Sequence, residues 1–433
     1  MKKLLTAVLF LTVVLSLVAY GQKTTWVFEK VFPDTGFQTS GVHGLAVSGA
    51  GLLWVQDYYG RAGDSVFQAS TSTNRLTRAI YVYNTNGNVV PVMKIQIMSG
   101  TGIQDTLYSA GLGLRTGPDG DVYLSTVGTV YRVDGTTGAA KTKAVPFPGS
   151  STLAVGVDDL NEVFVGTVVP GNPLKIFDAT TSPAMTSLGN AIDTVLNYGR
   201  SCNVDATGND VYNTRFGAPS FLVHSDNGSL GPYVVVDTLL SGMSIESSCW
   251  NKKDGLLYLS SGGQVGSTGY TNCAFFGYDP VTKTIKDSIL WNLSVNSTAD
   301  IRPRALAFSV TGDTAWACSF GTADKYMIEM FRRIPVGVER IESGIPSGYT
   351  LSQNYPNPFN PTTEIQFTVA RAGFTTLKVY DMLGKEVATL VNENLNPGTF
   401  KSTLDGAKLS SGTYLYRLVS GSTAITKKMM LLK

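Results

Sequence analysis

One pattern recurs through the middle of this 433-residue chain: a short apolar strand, a tight turn carrying Gly, Asp or Asn, and a second apolar strand. It occupies Gly44–Val55, Leu112–Leu124, Leu153–Val165, Cys202–Tyr212, Cys249–Leu259 and Ala305–Trp316. The turn residues Gly51, Gly120, Asn161, Gly208, Gly255 and Gly312 lie 69, 41, 47, 47 and 57 positions apart. A third strand follows in most copies, at Ile80–Tyr83, Val130–Val133, Leu174–Phe177, Phe221–His224 and Phe275–Tyr278. Hairpins of this kind cannot bury their apolar faces alone, and a period of roughly 40–50 residues with four strands per unit predicts a β-propeller. Six copies predict six blades; a β-sandwich or an open array of hairpins is the competing architecture. After Met327–Phe331 the chain meets Pro335 and Gly337 without a fourth strand, whereas Thr25–Phe32 is a spare strand at the other end. The spare strand is expected to complete the last blade, leaving no unpaired edge.

Composition agrees with turn-rich β structure. Charged residues are 15% of the chain and glycines number 46, which disfavours long solvated helices. The net charge of +2 produces no field suited to nucleic acid. Residues 1–21 read as a signal peptide: Lys2 and Lys3, an apolar run from Leu4 to Val18, and the small-x-small site Ala19-Tyr20-Gly21. Cys202, Cys249, Cys273 and Cys318 form no C-x-x-C pair, so they suggest disulfides of unspecified pairing or free buried thiols.

A polar, Gly- and Pro-punctuated linker is expected over residues 335–348, between a β-propeller of residues 22–334 and a second strand-rich module of residues 349–433. In the module, Ile365–Val369, Leu377–Tyr380, Val387–Leu390, Phe400–Leu404, Tyr414–Leu418 and Ile425–Leu431 each offer one apolar face, predicting a small immunoglobulin-like sandwich. The chain is thus expected to be all-β. The module resembles the type A sorting domain of the type IX secretion system. The resemblance rests on Tyr355, Pro356, Asn357, Pro358, Phe359, Asn360 and Pro361, on the hairpin containing Tyr380, Asp381 and Gly384, on Gly412 and Tyr414, and on the strand ending at Lys433. It implies Sec export to the periplasm, passage through the type IX translocon, cleavage near the linker by a sortase-like protease, and release or attachment to surface lipopolysaccharide. In physical terms, Gly384 is expected at a turn needing positive φ, and Gly412 at a close strand approach.

The repeated region is similar to six-bladed propellers of the NHL and gluconolactonase-like group. Lactonase-like members hold a divalent cation on channel-facing acidic and amide side chains, so the resemblance implies a metal-dependent hydrolase or lyase. The inner-strand starts here offer Ser201, Cys202, Ser248, Cys249, Arg302 and Arg304 instead. The favoured reading is therefore a non-catalytic module binding a glycan or protein, without a cofactor. His43, Asp57 and Tyr59 are candidates on the rim. Arg200, Arg215 and Arg304, with Trp54 and Trp250, are expected to share one face and grip a glycan or acidic peptide. His224 is expected to be a surface or packing residue, and the aspartates Asp119, Asp121, Asp158 and Asp159 turn formers rather than calcium ligands.

Overall fold

All six turn residues of the repeat take positive φ, from 63° at Asn161 to 84° at Gly120. This left-handed conformation is cheap for glycine and tolerable for asparagine, which explains the single non-glycine among them. Each turn joins the first two strands of a four-stranded antiparallel sheet. A computed structural model describes residues 26–32, 41–61, 63–86, 88, 90–195, 198–215, 219–228, 231–261, 270, 274–290, 302–320, 328–333, 339–342 and 346–433. The expected signal peptide and Cys273 lie outside these residues. Among the described residues there is no α-helix.

Six sheets build the first unit, with first strands Val42–Val47, Leu114–Thr116, Gly156–Val157, Gly199–Val204, Ser248–Asn251 and Arg302–Phe308. These inner strands neighbour one another in chain order, and the sixth meets the first. The apolar clusters follow the same cycle. Trp54 and Val82 of the first sheet pack with Val122 and Leu124 of the second; Trp316 and Ile328 of the sixth pack with Val42 and Tyr83 of the first. The 69-residue gap between the first two turns accommodates two extra hairpins, Ser65–Gln68 with Thr73–Leu76 and Ile97–Gly100 with Ile103–Thr106.

The spare strand behaves as expected. Trp26–Phe32 pairs antiparallel with Ile328–Arg333 and becomes the outer strand of the sixth sheet. Its Trp26 indole inserts against the fifth sheet and donates to Asp287 Oδ2 at 3.0 Å. The same oxygen accepts the Tyr258 hydroxyl at 2.8 Å. Arg333 clamps the joint from the sixth sheet, 2.8 Å from Asp254 and 3.4 Å from Asp287. Burial raises the Asp254 carboxyl, and Arg333 opposes that shift.

The aspartates of the turns do shape backbone. Asp119 Oδ1 accepts the amide of Asp121, and Asp158 Oδ1 those of Leu160 and Glu162. Burial raises the Asp158 carboxyl; the Glu162 backbone amide opposes the rise and the Glu162 side chain adds to it.

The second unit is a sandwich of two four-stranded sheets. One runs Glu339–Glu342, Gly398–Asp405, Thr362–Val369, Thr350–Leu351; the other Glu386–Leu395, Gly373–Tyr380, Gly412–Ser420, Thr423–Leu431. Alternation buries Ile365, Phe367 and Val369 against Leu377, Tyr416 and Leu418. The expected linker needs correction: Glu339–Glu342 pairs with Gly398–Asp405, so the sandwich begins before residue 349.

Three substitutions test this architecture in denaturant titrations. Trp26→Ala should lower unfolding free energy by about 3–5 kcal/mol, typical of deleting a buried aromatic. Gly255→Ala should cost only about 1–2 kcal/mol of left-handed strain, because a Cβ there meets open space. Gly120→Ala should cost clearly more, since its Cβ would stand 2.7 Å from the Gly49 backbone.

Candidate functional site

The inner strands define two mouths. At one, the first strands begin and the second strands end; at the other lie the six turns. Charge pairs gather at the first mouth. Glu246, fully buried, takes the Arg200 Nε at 2.8 Å and the Arg304 Nη1 at 2.8 Å. Asp57, also fully buried, pairs with Arg61 at 2.6 Å. Burial lowers and Asp57 raises the Arg61 guanidinium, with a net upward shift. Buried His43 packs on the Tyr58 ring at 4.2 Å between centroids, and Tyr59 stands exposed beside Tyr58.

The expected gripping face does not assemble. Trp54 is fully buried between the first and second sheets. Arg215 folds onto Phe221 and donates through Nε to the Pro219 carbonyl. Trp250 lies at the opposite mouth, its indole donating to the Val204 carbonyl at 2.9 Å. Arg200 and Arg304 are joined, but by a carboxylate of the protein itself.

The turn mouth opens into a cavity of about 610 Å³ to which all six inner strands or their turns contribute. Leu45, Val47, Leu114, Trp250 and Phe308 give it an apolar wall. Arg115 is set into this wall. Its Nη1 donates to the Ser248 carbonyl at 2.8 Å, and its Nε to the Val155 carbonyl at 3.2 Å. Arg115 belongs to the second sheet and Ser248 to the fifth, three places apart in a cycle of six, so the guanidinium crosses the channel. Above it, the Ser248 hydroxyl bonds to Ser201 and Asn203, completing a polar floor. Two thiols stand near the guanidinium. Burial pushes Cys202 up to about 12 and raises Cys249, with Arg115 partly opposing both. Cys202, Cys249 and Cys318 are free.

Sequence reasoning missed Arg115, yet a signal was present. Ala46, Arg115, Gly156, Asn203, Trp250 and Ala307 each stand five positions before their turn residue. In that register Arg115 is the only charge.

In the sandwich, Phe359 is buried and exchanges backbone hydrogen bonds with Met430 and Leu432 of the final strand segment, at 2.9 and 3.0 Å. Asn357 Oδ1 accepts the Met430 amide at 2.9 Å, and the Pro356 carbonyl accepts the Thr363 hydroxyl at 2.8 Å. Tyr355 is 81% exposed, so the lead-in containing Pro358, Asn360 and Pro361 joins the last strand with one aromatic outward. Asp381 Oδ1 accepts the amides of Leu383 and Lys385, closing the hairpin after half-buried Tyr380, and Gly384 has φ 80°. The Tyr414 hydroxyl donates to the Ser410 carbonyl at 2.7 Å, and Lys433 Nζ to the Ala407 carbonyl at 2.7 Å. Gly412 corrects an expectation: nothing stands where its Cβ would be, so no close approach requires it.

Residues 353–432 match the family described as the secretion system C-terminal sorting domain. Such a tail indicates export through type IX secretion to the cell surface or medium and implies contact with that machinery. No curated protein matches the chain. Among solved structures, it is similar to PorZ, described as an essential surface component of the type IX secretion system of Porphyromonas gingivalis. That likeness has 13% identity and TM-score 0.38, over 90% of this chain and 51% of that one. A chain of the mitotic checkpoint complex gives 10% identity and TM-score 0.44, over 74% and 98%. The extracellular domain of the putative one component system BT4673 from B. thetaiotaomicron gives 11% and 0.37, over 94% and 58%. This chain spans about half the length of the PorZ chain; at such scores likeness says nothing of function.

As an imidazolium, His224 donates through Nδ1 to Asp210 (2.7 Å) and through Nε2 to Asp226 (3.1 Å). The hydrogen bonds to Asp210 and then Asp226 raise its imidazole above the ordinary value of about 6.5. The imidazolium therefore stabilises the fold fully below that value, and the contribution is lost as pH rises through the folded value. With two histidines in the chain, proton NMR should resolve His224 titrating above 6.5, and Asp210→Asn should move it down.

Proposed function

We propose that this protein is a six-bladed β-propeller, exported by its C-terminal sorting domain, that acts as a non-catalytic binding module with its ligand site in the turn-mouth cavity. The cyclic packing order of six four-stranded sheets, closed by the first strand, supports the propeller. The cavity itself carries the binding reading: a mostly apolar recess of small-molecule size with a few convergent polar groups is where ligands bind.

In this reading the Sec pathway removes residues 1–21, and a sortase-like protease cleaves within or near residues 335–348. Cargo is then released or attached to lipopolysaccharide. A lactonase-like metal hydrolase fits the described channel groups poorly. Glu246 is engaged by two arginines, and a divalent cation near Arg115 would meet like charge. Among the described residues, no group of three or more His, Cys, Asp or Glu gathers as a metal site.

Two measurements test the proposal. Deleting residues 349–433 should abolish surface and extracellular protein while leaving the first unit in the periplasm; unchanged surface labelling would overturn the delivery route. A glycan and metabolite screen by thermal shift should give hits that Trp250→Ala weakens at least about tenfold, in line with a buried aromatic anchor. Hits insensitive to Trp250 would place the site elsewhere.

A further inference from the structure

We infer that the turn-mouth cavity is an anion site, built for a small organic carboxylate whose acid group pairs with Arg115 and whose apolar body rests on Trp250 and Phe308. This rests on reading the cavity as the ligand site and adds the ligand's chemistry.

Arg115 is partly buried, and its hydrogen bonds run to two backbone carbonyls and the neutral Cys249 thiol. Among the described residues no carboxylate pairs with it. A guanidinium is always charged and carries five donors; the carbonyl bonds use Nε and one hydrogen of Nη1, and the Cys249 thiol beside it is only a weak acceptor, so donors remain for an anion. Removing an unpaired cation from water is costly, so a protein that sets one into an apolar wall leaves a large gain for an incoming anion.

The acids nearest the site do not meet that demand. Asp119 is engaged by Arg132, and Asp205 accepts the Asp210 amide at 3.0 Å and the Thr207 hydroxyl at 2.6 Å. Lys253 is engaged by Asp313. Asp159 and Lys252 are exposed at the rim and opposite in sign, so neither sets the charge of the interior. A planar carboxylate matches the guanidinium fork, and such charge-assisted bonds exceed neutral ones in strength. The two carbonyl bonds hold the fork in place before a ligand arrives, which lowers the ordering cost of binding.

The test is calorimetric, on the full purified chain. Benzoate, 3-phenylpropionate and 3-(indol-3-yl)propionate are titrated beside their primary amides, which match them in shape but lack the charge. At least one acid should bind about ten- to a hundredfold tighter than its amide. Arg115→Gln should erase that preference, and Arg115→Lys should retain part of it, since a point charge remains. Acid and amide binding equally well to the unmodified chain would overturn the anion inference while leaving the cavity as a ligand site. A preference that survives in a folded Arg115→Gln chain would also overturn it. If neither acids nor amides bind at millimolar concentration, the anion inference and the reading of the cavity fall together.

Discussion

The first unit depends on a pairing between chain segments some three hundred residues apart. Trp26 lies opposite Arg333 and Phe32 opposite Ile328. Joining such distant segments costs loop entropy, though the cost grows only logarithmically with separation. What offsets it is concentrated at the joint: a backbone ladder with one bulge between Phe28 and Lys30, the Trp26 ring buried beside Tyr258, and an arginine shared between two aspartates. Without the joint, the third strand of the sixth sheet would present an open edge.

The channel is organised by how charge is neutralised along it. At the first mouth, Glu246 answers two arginines and Asp57 answers one. At the turn mouth, Arg115 is answered by carbonyl dipoles and the Cys249 thiol rather than by a carboxylate among the described residues. The Ser248 carbonyl on one side and its hydroxyl network on the other join the two halves. The first mouth thus pairs its charges within the protein, while at the second Arg115 keeps hydrogen-bonding capacity for an anion.

Much of the fold was legible because two backbone rules act locally. Strand alternation and the need for positive φ mark Gly51, Gly120, Gly208, Gly255 and Gly312, and Asn161 fills the same role. The sandwich could be read from alternation and from an ordered set of motif residues. What escaped sequence reading depends on direction. Position in a strand does not say which mouth a side chain reaches, and Trp250 and Arg200 belong to opposite ends. Trp54 alternates inward and is consumed by packing between sheets. Glu246 precedes its strand and carries no motif, yet it determines what Arg200 and Arg304 do. Arg115 was hidden by its apolar neighbours, and only aligning the copies on their turns isolates it.

The joint between Trp26–Phe32 and Ile328–Arg333 also imposes an order in time. A ribosome makes residue 26 early and residue 333 late, so the ring waits nearly its whole length for its final partner. The sorting tail emerges later still, and Arg332 in the closing strand reaches Asp405 in that tail at 3.1 Å. Machinery that engages the tail therefore meets a chain whose six sheets have all been synthesised, and the address is presented only once the parcel can be sealed.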